Sequence, residues 1–340
     1  MLSNRFTRRT ALSAAALLLG TSALAGCAGE NATAANADKT LSIDFATYNP
    51  LSLVLKEKGW LDEAAKESGV SVEWIQSAGS NKANEALRAD AIDVGSTAGS
   101  AALLARSNGS PIKTIALYSQ PEWAALVIGK DSKISSVKDL KGKTVAATKG
   151  TDPYFFLLQS LEEAGLSEDD IKLQNLQHAD GRTALANGSV DAWSGLDPIM
   201  AAAEEDGASL VYRNLDFNTY GALNAREDFI EESPELAQLV VDSYEKARAW
   251  ATENPEETAE ILADVAGLEP EVATTVIEER SNLDVPAAPS EKYTSVLLNI
   301  GPTLVASGDV SKQESVDEAL ATLVDDQFAT QADATKISGE

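Results

Sequence analysis

The 340-residue chain has one cysteine, one histidine and two methionines. A single cysteine excludes an intrachain disulfide. A single histidine excludes a poly-histidine metal site and leaves no second imidazole for a paired role. No Gly-x-Ser-x-Gly nucleophile elbow occurs. Positive charge is scarce: 27 Lys and Arg stand against 53 Asp and Glu, a formal net charge of −26. A field of that sign repels phosphate backbones and anionic headgroups, so nucleic-acid binders and basic membrane-surface proteins are excluded. Beyond the N-terminal region no run approaches the ~18 apolar residues that span a bilayer. What remains is ordinary for a globular protein, 44% hydrophobic and 24% charged residues, and the length corresponds to about two domains.

The first 26 residues hold three arginines and no acid, so without them the net charge moves from −26 to −29. Met1 to Thr10 is a basic segment ending Thr7-Arg8-Arg9-Thr10, and Ala11 to Gly20 is apolar. An apolar stretch of about ten residues is too short to span a bilayer and reads as a signal peptide over residues 1–26. Leu24-Ala25-Gly26-Cys27 is similar to the bacterial lipobox, which implies a lipid on Cys27 as the first mature residue. The paired arginines resemble a twin-arginine signal, and such a pair also precedes general export signals. Residues 27–39 are small and polar without apolar periodicity, a flexible tether. The expected product is a globular body outside the cytoplasm, held at the outer face of the cell membrane by its lipid alone.

The body alternates strand and helix. Leu41-Ser42-Ile43-Asp44-Phe45-Ala46 has the period-two pattern of a strand, and Leu51 to Ser68 reads as helix interrupted near Gly59. Further strands are expected at 70–74, 92–95, 112–118, 123–128, 143–148, 171–177, 190–193 and 210–212, with helices between them. After Ser233 the chain is mostly helical. Asp152-Pro153, Asp197-Pro198, Ser233-Pro234 and Asn254-Pro255 each place a capping side chain before a proline at the first helical position. Repeated β-α-β units predict an α/β fold with largely parallel sheets. The chain order predicts two lobes: 40–124, then 125–220, then a return to the first at 221–340. Ligands of such folds sit at the carboxyl ends of strands, so a cleft between the lobes is the expected site.

Ala89-Asp90-Ala91-Ile92-Asp93-Val94-Gly95, the run Ser136 to Ala146, Gly188-Ser189-Val190-Asp191-Ala192-Trp193, Asp197-Pro198 and Asn254-Pro255-Glu256-Glu257 together resemble the extracytoplasmic substrate-binding proteins of ABC importers. The similarity is to the group for aliphatic sulfonates and its relatives for nitrate, taurine, aromatic acids and thiamine-precursor pyrimidines. It spans about residues 40–325. It implies a type II periplasmic-binding-protein fold, two α/β lobes joined by a hinge with a ligand cleft between them. It also implies a monomer without cofactor or metal that closes over a small organic anion and docks on a membrane permease with its ATPase. A related fold also carries enzymes, the alternative class; the lipid anchor and the lack of a Cys or His constellation weigh against it.

Matching the group's binding segments onto this chain implies ligand contacts at Tyr48, Asn49, Leu51 and Ser52 after the first strand. A second set is Ser96, Thr97 and Ala98. A third is Gly150, Thr151, Asp152 and Tyr154 in the other lobe, with Trp193 and Asp197 from the next strand end. Each loop is expected to lie between a strand and a helix start, where free N–H groups and the helix dipole hold an anion without a cationic side chain. Asp152 departs from the group's pattern. It competes with an anion for those N–H groups, caps its helix, or recognises a cationic or hydrogen-bond-donating ligand. Arg182 is the one cation near the strand ends. Gly142-Lys143-Thr144 lacks the first glycine of a phosphate-binding loop, and Ser135-Ser136-Val137-Lys138 lacks the companion motifs of a serine acylase. The latter reads as a capped helical turn, and His178 as a structural residue at a strand end.

Overall fold

The computed structural model describes residues 39–339; the expected signal peptide, lipidated Cys27 and tether up to residue 38 lie outside the described residues. Lys39, expected to end the tether, already belongs to β1 (Lys39–Phe45). Leu41 and Ile43 of that strand are fully buried, as its alternation predicts. The chain continues through α1 (Pro50–Lys58), α2 (Trp60–Glu67), β2 (Val70–Gln76), α3 (Ser80–Arg88), β3 (Val94–Ala98), α4 (Gly99–Ser107) and β4 (Ile112–Ser119). A second group follows: β5 (Ala124–Ile128), β6 (Thr144–Ala147), α5 (Asp152–Glu163), β7 (Lys172–Asn175), α6 (His178–Ala186), β8 (Ala192–Leu196), α7 (Ile199–Glu205) and β9 (Ser209–Tyr212). After β10 (Gly221–Arg226) come α8 (Glu227–Glu232), α9 (Pro234–Glu253), α10 (Pro255–Ala266), α11 (Pro270–Thr275), α12 (Glu291–Ala306), α13 (Gln313–Thr322) and α14 (Gln327–Thr330).

These strands form two five-stranded sheets, ordered β2-β1-β3-β10-β4 and β7-β6-β8-β5-β9. The sheets are mixed, which corrects the expectation of largely parallel ones. β1 runs parallel to β2 and β3, and β6 parallel to β7 and β8. β10 is antiparallel to β3 and β4, and β5 to β8 and β9. The reversed strands are those the chain forms first after each crossing: β5 on entering the second sheet and β10 on returning to the first. A side chain's period of two reports burial, not strand direction, so the sequence pattern carries no sign of this reversal. Residues 280–287 run alongside the first crossing as well: Leu117 N–H donates to Ala287 O, Gln120 to Asn282 O and Glu122 to Arg280 O, at 2.7, 3.1 and 2.8 Å.

Two boundary corrections bear on the site. β3 extends to Ala98, so Ser96, Thr97 and Ala98 are strand residues paired with β10, not a loop. His178 opens α6 instead of ending a strand. The proline-marked helices begin near the expected positions, yet the capping side-chain bond forms only at Asp197, whose Oδ1 accepts from Ala201 N at 2.9 Å. Ser136 and Asp139 cap the helical turn Val137–Leu140 reciprocally before β6, as the capped-turn reading of that segment expected.

Candidate functional site

The loop after β1 is folded by its own side chains. Asn49 Oδ1 accepts from Ser52 N at 3.3 Å, capping α1, and Asn49 Nδ2 donates to Tyr244 Oη at 3.1 Å. Ser52 Oγ donates to Asn49 O at 2.6 Å and accepts from Ala46 N at 3.1 Å. Leu51 is fully buried in the core. Asn49, Leu51 and Ser52 thus hold the loop and α1 in place. Tyr48 Oη donates to Ser96 O at 2.9 Å, and its ring meets Trp123 edge-on at 6.2 Å. Ser96 is bound by a residue that the sequence reading passed over. Asp44 accepts from both Ser96 N and Ser96 Oγ, at 2.8 and 3.0 Å. Burial pushes the Asp44 carboxyl up to about 7 against its bonds from Ser77 and Ser96. A lone acid in an apolar alternating strand was its only sequence signal. Thr97 Oγ1 accepts from Asn224 Nδ2 at 2.8 Å, and Ala98 N donates to Ser80 Oγ at 2.9 Å.

Asp152 stands at the first position of α5 and is 1% exposed. Its carboxylate reaches across to the other half of the molecule. Oδ1 accepts from Ser100 Oγ at 2.5 Å and Thr219 Oγ1 at 2.7 Å; Oδ2 accepts from Trp123 Nε1 at 2.8 Å and Thr219 N at 2.7 Å. Ser100 lies in the first turn of α4, so the charge sits where the positive ends of α4 and α5 meet. Burial still raises the carboxyl above its usual range, opposed by those bonds. Asp152 does not cap its own helix, whose N-cap is Thr151. It ties the two halves together and occupies donors that an anion had been expected to use. Trp123 and Thr219 carried no sequence signal for this role, because each acquires it through a partner tens of residues away.

The remaining candidates face elsewhere. Gly150 has φ +77°, which suits glycine, and Thr151 Oγ1 donates to Thr148 O at 2.6 Å. Tyr154 turns to Glu168, donating at 2.7 Å, with Lys149 Nζ 5.0 Å from its ring. Trp193 is fully buried in a cluster with Val127, Leu185 and Met200, beneath Gly181 of α6. Asp197 follows the same pattern: besides Ala201 N it faces Arg280 Nη1 at 3.3 Å, and Arg280 Nη2 bonds Glu204 at 2.8 Å. Burial pushes Asp197 up to about 6, with Arg280 pulling the other way.

A groove of about 520 Å³ crosses from one sheet to the other. Thr47 and Gln76, at the carboxyl ends of β1 and β2, form one side. Ala179, Arg182, Thr183 and Ala186 of α6 form the other, with Pro198, Ile199, Val265, Ala266 and Leu268 completing it. Arg182 is the only charged residue of this lining. Its Nη2 is held by Asp206 at 2.6 Å and Ala202 O at 3.3 Å. A second hollow, about 500 Å³ between Gly129–Ser132 and α6, touches no residue of the first sheet. Among the described residues no group of three or more His, Cys, Asp or Glu side chains could hold a metal ion, and no helix is long and apolar enough to cross a membrane.

Two halves, each a β-sheet flanked by helices, with crossing segments between them and a groove at the strand ends, define the periplasmic-binding-protein class of fold. The chain belongs to the NMT1/THI5-like family, whose model matches residues 51–258. It is 31% identical over 267 residues to a Bacillus subtilis (strain 168) protein named for binding aliphatic sulfonates, covering 77% of this chain and 80% of that one. Among solved structures it resembles the alkanesulfonate-binding protein SsuA from Xanthomonas axonopodis pv. citri bound to MOPS, with a TM-score of 0.75, 24% identity, and 84% and 98% of the two chains covered. A Candida albicans gene product described as having the generic periplasmic binding protein fold matches with a TM-score of 0.68 at 13% identity, over 84% and 95% of the chains. These structural likenesses show the fold.

Proposed function

We propose that this chain is the solute-binding component of an ABC import system, capturing a small organic anion, an aliphatic sulfonate, between its two halves and delivering it to a membrane permease and its ATPase. The observation that carries this reading is the lining of the groove. In a chain of net charge −26, the groove is lined by one cation, Arg182, and by no acid. Thr47, Gln76 and Thr183 add donors for anionic oxygens, and Ile199 and Leu268 offer aliphatic surface to a short tail. Nitrate has no tail to use that surface, and a planar pyrimidine would find no aromatic wall in it.

Residues 40–124 and 221–340 act as one lobe and 125–220 as the other, swinging on the crossing segments. A ligand that touches both lobes stabilises the closed state by its differential affinity. Tyr48, Ser96, Thr97, Ala98, Gly150, Thr151 and Asp152 form the seam behind the groove that closure packs together. The chain works as a monomer outside the cytoplasm, anchored by a lipid on Cys27, and catalyses no reaction. Deleting the gene in the native host tests the transport role: uptake of a labelled short-chain alkanesulfonate should be lost while sulfate uptake persists. Unchanged sulfonate uptake would overturn it.

A further inference from the structure

His178, the only histidine, opens α6 and precedes the groove residue Ala179 in the chain. It is 1% exposed. Thr148 Oγ1 donates its proton to Leu176 O at 2.7 Å, so at 3.2 Å from His178 Nδ1 the same oxygen accepts the ring N–H. That fixes the proton on Nδ1 and leaves Nε2 as a bare acceptor. Nε2 is buried without a partner, as are Gln177 Oε1 and Asn81 Oδ1. Burial also lowers the ring's pKa to about 4, keeping it neutral.

His178 Nε2 and Asn81 Oδ1 meet across the seam between the halves. A β-carbon placed on Gly79, before α3, would lie 2.9 Å from Asn81 Oδ1 and 3.1 Å from His178 Nε2. Gly79 and Asn81 belong to the first half and His178 to the second. Buried polar atoms are nearly always paired, and unpaired ones are costly. His178 Nε2 and Asn81 Oδ1, both buried and unpaired at one place, call for a donor from outside.

We propose that His178 Nε2, with Asn81 Oδ1, is a ligand-recognition position that accepts a hydrogen bond from an N–H or O–H group on the captured solute. Resting on the sulfonate reading above, this makes the solute a short sulfonate with a donor at its far end: the acid group lies toward Arg182 and the donor toward His178. Because the acceptors come from both halves, the donor is held only when the halves are together, so it adds to closure as well as to selectivity.

Calorimetric titration of the purified chain with ethanesulfonate, 2-hydroxyethanesulfonate and 2-aminoethanesulfonate tests this. At least one donor-bearing sulfonate should bind about tenfold or more tighter than ethanesulfonate, since an analogue lacking the donor leaves buried acceptors unpaired. The hydroxyl and amine arms distinguish the two donor types. In His178→Phe the preference should collapse while ethanesulfonate binding is retained, and His178→Gln, which keeps an acceptor, should recover part of it. If His178→Phe does not fold, the wild-type comparison decides alone. Equal binding of all three sulfonates by the wild type, or a preference that survives in His178→Phe, overturns this inference only. Binding of none overturns the sulfonate reading and this inference with it.

Discussion

Asp152, at the start of α5, accepts a 2.5 Å hydrogen bond from Ser100 at the start of α4, joining the second sheet's half of the molecule to the first. With Trp123 and Thr219, which lie on the two segments that cross between the sheets, it makes a four-bond node. The node lies where the halves must part for a solute to enter.

Asp152→Ala should therefore loosen closure. Leaving buried donors unpaired should lower stability by about 3 kcal/mol in urea unfolding. Small-angle scattering of the free variant should give a larger radius of gyration than the wild type. Solute affinity should weaken in proportion to the lost closed population. An unchanged radius with unchanged affinity would remove Asp152 from the closing mechanism.

Asp44 predicts a pH dependence. The folded chain keeps its proton up to about pH 7, whereas an ordinary aspartate gives it up near 3.8. The folded state thus binds more protons between those values, and stability falls as pH rises through them. Asp197, raised to about 6, acts in the same sense over the lower part. His178, lowered from 6.5 to about 4, acts in the opposite sense between those two values. Comparing Asp44→Asn with the wild type cancels the shared contributions. The variant should gain stability relative to the wild type as pH rises from 4 to 7, read from denaturant midpoints. Parallel curves would contradict the buried-carboxylate account.

Arg280 and Asp197 are 7% and 3% exposed, so their ion pair is shielded from solvent. Arg280→Met should leave Asp197 as an uncompensated buried charge and destabilise by about 3–5 kcal/mol. Adding Asp197→Asn to it should restore part of the loss. A double variant no more stable than Arg280→Met would show that the pair is not coupled.

Gly181 lies against the Trp193 indole, where an added β-carbon would stand 2.6 Å from Nε1. Gly181→Ala must push α6 or the indole aside, at about 1–3 kcal/mol, and α6 carries Arg182 and His178. A lower thermal midpoint together with weaker solute binding is the expected result. A drop in neither would mean that α6 tolerates the shift.

Much of the architecture was legible in local patterns. The alternation over Leu41–Ala46 marked β1, and Ser233-Pro234 and Asn254-Pro255 marked the starts of α9 and α10. The misses were tertiary in origin. Ser96-Thr97-Ala98 has no apolar alternation and is strand because β10 pairs along it. His178-Ala179-Asp180-Gly181 is a weak helix former, held in α6 by packing such as Gly181 on Trp193. The candidate site was the least legible part. Asp152 with Ser100, Asp44 with Ser96, and Asp197 with Arg280 are separated by 52, 52 and 83 residues, and no local spacing rule reaches that far. Loop matching singled out Trp193 and Leu51, and no local pattern announced that both would be fully buried. Arg182 was visible as the one cation near the strand ends, but its ion pair with Asp206 and the groove it lines emerge only once the chain is folded.

Thermal unfolding of the purified chain against a panel of small solutes tests the central claim most directly. A bound solute stabilises by RT ln(1 + [L]/Kd), about 2.7 kcal/mol at a concentration of 100 Kd. The panel should hold short-chain sulfonates, nitrate, aromatic carboxylates and a pyrimidine. A saturable rise with a sulfonate, abolished by Arg182→Met, is the predicted result. A rise with the pyrimidine or a carboxylate and none with any sulfonate would contradict it.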